Sequence, residues 1–128
     1  MKTALLSALV LAGGLGVTAT PAHAQCTYGG TTQVKVISNV LRVYDGNSYC
    51  HNLGIQDDGP NSIFVYDVSG SVVVGTGCTP KTVSGTAGAT CAKSGYASIR
   101  VNYTGGDDQV IDWRSAPNSA KALVVYLG

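Results

Sequence analysis

Asp107 and Asp108 follow Gly105 and Gly106 in a chain of 128 residues. Adjacent carboxylates offer charge to a hard cation and glycines let backbone carbonyls approach it, so Gly106, Asp107 and Asp108 form a candidate site for weakly held calcium. A second acidic pair, Asp57-Asp58 within QDDGPN, has the composition of a turn. The four cysteines at 26, 50, 78 and 91 contain no CxxC knuckle, and only His51 could add an imidazole. Two disulfides are therefore expected rather than zinc, with Cys26–Cys50 and Cys78–Cys91 preferred among three possible connectivities. His51 with Ser48 or Ser62 and an aspartate has the residue types of a hydrolytic triad, but no G-x-S-x-G elbow frames them. Without a complete nucleophile, base or metal cage, no catalytic residue is assigned and no enzymatic activity is expected.

The elements that must hold these residues read as strands. Ala97–Tyr103 alternates apolar and polar side chains at period 2, the pattern of a half-buried strand. Gln33–Ile37, Val40–Tyr44, Ser62–Val68, Ser71–Val74, Gln109–Trp113 and Ala122–Leu127 are likewise rich in Val, Ile, Tyr or Phe, and no helical stripe appears. All seven acidic residues are Asp, a residue of turns rather than of helical surfaces. The expectation is an all-β chain: a small disulfide-stapled β-sandwich or a short β-roll. The stretch Thr79–Ala89 has one large apolar residue, Val83, and reads as a loop that its crosslink stabilises by about 3 kcal/mol.

Residues 1–24 read as a secretory signal peptide: Lys2, an apolar run from Ala4 to Val17, and Ala22-His23-Ala24 as the cleavage site. The remaining residues 25–128 amount to one small domain in an oxidising compartment, with no membrane span. Seven basic residues then face seven acidic ones, so net charge steers the chain to neither nucleic acid nor anionic lipid. Seven tyrosines and Trp113 would supply a recognition face for a protein or cell-wall partner if several stood exposed on one side of a sheet.

From residue 97 on, strands begin every 11 to 13 residues, with Gly/Asp and then Pro/Asn turns between them. With Thr90-Cys91, the strand Ile99-Arg100-Val101-Asn102 and the run Gly106-Asp107-Asp108-Gln109-Val110, the chain resembles the segment leading into the nonapeptide repeats of secreted bacterial RTX (haemolysin-type calcium-binding) proteins. On the repeat G-G-x-G-x-D-x-U-x, Gly106 takes the fourth position, Asp108 the sixth and Val110 the apolar eighth. Tyr103 and Thr104 stand where two glycines are expected. The resemblance, covering roughly residues 60–128 with 97–128 as its RTX-like region, implies a structural calcium held by an incomplete shell.

Overall fold

The computed structural model describes residues 26–46 and 49–127; the expected signal peptide lies outside them. Among the described residues ten strands form two five-stranded sheets. They are β1 (Thr31–Ile37), β2 (Val40–Tyr44), β3 (Asn52–Asp57), β4 (Ser62–Asp67), β5 (Ser71–Val74), β6 (Cys78–Val83), β7 (Thr86–Ala92), β8 (Ser98–Asn102), β9 (Gln109–Asp112) and β10 (Ala122–Tyr126). Sheet 1 has the order β9-β3-β4-β7-β6, and sheet 2 the order β10-β8-β2-β1-β5. The chain is all-β, as its alternation implies.

Each sheet turns its apolar side chains inward. Val34, Leu41, Val43, Ile99 and Val101 from sheet 2 meet Leu53, Ile55, Ile63 and Val65 from sheet 1, all fully or almost fully buried. Burying a Val, Leu or Ile side chain is worth roughly 1.5–3 kcal/mol, so this cluster is the main force holding the sheets face to face.

The two halves of the chain build the sheets differently. Among the first seven strands the pairs β1–β2, β3–β4, β4–β7 and β6–β7 are antiparallel, and β5 lies parallel to β1. Ser38 and Asn39 between β1 and β2 both have positive φ, 50° and 66°, the backbone of a two-residue turn whose twist suits a hairpin. The last three strands each lie in the sheet opposite to the strand before them and pair only in parallel. β8 lies parallel to β2 in sheet 2, β9 parallel to β3 in sheet 1, and β10 parallel to β8 in sheet 2. These crossovers, with strands starting at residues 98, 109 and 122, are the kind of step a solenoid repeats.

Two expectations need correction. Thr79–Ala89 is not a loop: β6 and β7 pair in register around Ser84-Gly85, with Cys78 opposite Cys91. The stretch escapes notice because β6 is an edge strand, exposed along most of its length, where Thr supplies β-propensity without an apolar stripe. β3 likewise occupies Gln56 and Asp57, which read as turn. Its Gly54 weakens the strand signal but is required, because a Cβ there would lie 2.2 Å from the ring of Tyr66, the residue opposite. Both disulfides are present, Cys26–Cys50 and Cys78–Cys91.

Candidate functional site

At one end of the sandwich, the inward alternation of five segments runs into polar residues. Thr32 shares its face with Val34 in β1, Asp45 continues Leu41 and Val43 past β2, and Asp67 continues Ile63 and Val65 in β4. Tyr103 continues Ile99 and Val101 past β8, and His51 precedes Leu53 and Ile55. All five are buried and they converge.

His51 is their centre. Its Nε2 lies 2.8 Å from Asp45 Oδ2 and its Nδ1 2.7 Å from Asp67 Oδ2, with the side chains wholly shielded from solvent. Each ring nitrogen thus faces a carboxylate oxygen, and the imidazole bridges the two aspartates. The other oxygens are also satisfied: Asp45 Oδ1 accepts the N–H and the hydroxyl of Thr104, and Asp67 Oδ1 accepts the N–H groups of Asn52 and Ser69. Thr32 donates to Asp67 Oδ2 at 3.1 Å, which leaves its oxygen to accept from the Tyr103 hydroxyl at 3.0 Å. The Tyr103 ring stacks on the imidazole at 4.3 Å between centroids, and burial pushes its hydroxyl well above the usual tyrosine range. The cluster bolts β1, β2 and β8 of sheet 2 to β3 and β4 of sheet 1. Both ring nitrogens are engaged by carboxylates inside the fold. Ser48, the serine nearest it in sequence, lies outside the described residues.

Directly beside the bolt lies the Asp107-Asp108 segment. It is not a hairpin tip; it is the crossover from β8 in sheet 2 to β9 in sheet 1. Gly105 and Gly106 take φ of 74° and 77°, a left-handed conformation that glycine adopts without strain. The turn is fixed by two contacts: Asp107 N–H reaches Cys50 Sγ at 3.1 Å, and Asp108 Oδ1 accepts the His51 N–H at 2.9 Å. Asp108 Oδ2, by contrast, is buried without a hydrogen-bond partner. Burial raises the Asp108 pKa above the ordinary carboxylate value, and the negative charges of Asp45 and Asp107 add to it, against the opposing hydrogen bond and charge of His51. A polar recess of about 400 Å³ opens here, lined by Tyr28, His51, Asn52, Ser69, Asp107, Asp108 and Gln109. Among the described residues no three His, Cys, Asp or Glu side chains are grouped to hold a metal. A cation in the recess would have Asp107 and Asp108 as its only carboxylates, completed by neutral oxygens and water.

The other acidic pair is consumed by the fold. Asp57 accepts from the backbone and hydroxyl of Ser115 and from Asn118 Nδ2 at 2.9 Å; the Ser115 hydroxyl and then Asn118 hold its pKa below 3.8. Asp58 accepts from Lys81 Nζ and Thr90 Oγ1, both at 2.6 Å, and Lys81 foremost lowers its pKa. The crosslinks divide similarly. Cys26–Cys50 sits against the Asp107 turn, whereas Cys78–Cys91 staples the hairpin at the far edge of sheet 1.

Asp45, Asp67, Thr32 and Tyr103 were not among the candidate residues read from sequence. The signal that finds them is a polar side chain continuing an inward alternation at a strand end. Comparison with protein-family models, curated proteins and solved structures returned no match.

Proposed function

We propose that the chain is an exported, non-enzymatic β-domain whose turn at Gly106, Asp107 and Asp108 binds calcium weakly as a structural ion, in the manner of secreted RTX-type proteins. The observation that carries this reading is Asp108 Oδ2, a buried carboxylate oxygen with no donor, beside an exposed second carboxylate and a polar recess. A buried charge without a partner is costly, and a bound cation would offset that cost. The solenoid-like crossovers of β8, β9 and β10 support the relation to repeat proteins. The commitment of both His51 nitrogens supports the absence of catalysis.

Calorimetric titration of the oxidised, chelator-treated protein with calcium tests this reading. The expected Kd lies in the 10⁻⁴–10⁻³ M range of weak extracellular modules, and Asp108→Asn abolishes the heat. Absence of calcium-dependent heat in the wild type at millimolar calcium would refute the site.

A second reading, recognition of a protein or cell-wall partner, is favoured by a different region. The outer face of sheet 2 carries Ile37, Val73, Val124 and Tyr126, all at least 39% exposed.

A further inference from the structure

Strand register lines up the outward side chains of sheet 2 in rows. Lys35 pairs with Arg42, Arg42 with Arg100, and Arg100 with Val124, so three cations stand side by side across β1, β2 and β8. Adjacent strands are about 4.8 Å apart, which makes the row straight and evenly spaced over about 10 Å. The next row along the strands reads Gln33, Tyr44, Asn102, Tyr126, a line of amide and hydroxyl groups.

Among the described residues no acidic side chain answers these cations: Lys35, Arg42 and Arg100 make no ion pair. Asp57, Asp58 and Asp112 belong to sheet 1 and its loops, Asp107 and Asp108 to the crossover, and Asp67 to the His51 cluster. Asp45 borders the groove between Arg42 and Arg100, but His51 and Thr104 take both its oxygens. Within that groove of about 290 Å³, Arg42 Nε is buried without a hydrogen-bond partner. Like charges directly opposite each other across strands destabilise a sheet, so the row carries an unmet demand for anions.

We infer that this face binds an acidic polysaccharide, its sulfate or carboxylate groups on the Lys35–Arg42–Arg100 row and its hydroxyls on the row of Gln33, Tyr44, Asn102 and Tyr126. The inference rests on the recognition reading and is independent of calcium. Guanidinium forks suit sulfate and carboxylate, and an evenly charged linear polymer matches an evenly spaced row. Single-stranded nucleic acid fits less well: its binders stack bases on open aromatic faces, whereas Lys35 covers the Tyr44 ring at 5.7 Å and Arg100 covers Tyr126 at 5.8 Å. Three cations also fall short of the clusters of about 4–8 that recruit a protein to anionic lipid. A second copy docked through the same face would set cation against cation.

The test is binding of the oxidised protein to heparin and to polygalacturonate at low salt, with single-stranded DNA as competitor polyanion. Arg42→Gln and Arg100→Gln should each weaken binding to at least one glycan about tenfold or more, because each removes charge-assisted hydrogen bonds. The same substitutions should leave the melting temperature of the free protein equal or higher, since each relieves repulsion within the row; a purely structural role would lower it. Lys81→Gln, an equal change of charge on sheet 1, should leave binding unchanged. Equal losses with Lys81→Gln would reduce the effect to net charge and overturn the site. DNA bound more tightly than either glycan and lost with Arg42→Gln would overturn the polysaccharide assignment while keeping a recognition face. No Arg42-dependent binding to any of the three would overturn both.

Discussion

Asp45 and Asp67 come from different sheets and share one imidazole, whereas Asp107 and Asp108 are sequence neighbours and share no partner. In the first region every carboxylate oxygen has a donor inside the protein. In the second, one buried oxygen has none. The two lie in contact through the His51 backbone, so the difference is not one of location. It is one of completed valence. Carboxylates whose demands the fold satisfies serve stability, and one left short is available to a ligand.

Removing the shared imidazole should have the largest effect. His51→Ala leaves two buried carboxylates unpaired and is expected to cost about 3–5 kcal/mol in denaturant unfolding. Asp107→Ala, which removes an exposed side chain, should change stability by no more than about 0.5 kcal/mol. Equal costs at the two positions would erase the distinction.

The crosslinks sharpen it next. Replacing either cysteine pair by alanine should cost about 3 kcal/mol. Calcium affinity, however, should fall only when Cys26 and Cys50 are replaced, because Cys50 Sγ accepts the Asp107 N–H and anchors the turn. Parallel calorimetry on the two double variants distinguishes them.

Acid titration separates satisfied from unsatisfied carboxylates by sign. Lys81 and then Thr90 hold Asp58 below 3.8, and hydrogen bonds from Arg114 outweigh burial to lower Asp112. Stability from these groups is complete above 3.8 and is lost as pH falls through the lower folded values. Asp108 has the opposite sign: burial raises its folded pKa, so its contribution is complete below 3.8 and is lost as pH rises through the folded value. In melting temperature against pH, Asp58→Asn should therefore lower the neutral plateau and soften the acid limb, while Asp108→Asn should remove a loss that sets in above 3.8.

Much of this was legible in sequence, and the exceptions have physical reasons. Period-2 alternation marks β1, β2 and β8, and the regular spacing after residue 97 marks the solenoid-like crossovers. β3 and the β6–β7 hairpin lie outside that signal because Gly54 is needed under Tyr66 and Pro80 sits on an edge strand. The Asp107-Asp108 turn announces itself by composition. The His51 cluster does not, since its members are 6 to 71 residues apart along the chain and only register brings them together. Nor does the cationic row, because Lys35, Arg42 and Arg100 are far apart along the chain and only strand register sets them side by side.

Thermal melts of the oxidised protein in millimolar calcium and in chelator, for the wild type and for Asp108→Asn, test whether Asp108 holds calcium. With a Kd of about 10⁻³ M or somewhat tighter, calcium at a few times that concentration stabilises the fold by about 1 kcal/mol, a rise of roughly 4–8 °C for a domain of this size. The wild type should show that rise and Asp108→Asn should not. Wild-type melts that superimpose in the two buffers would contradict it.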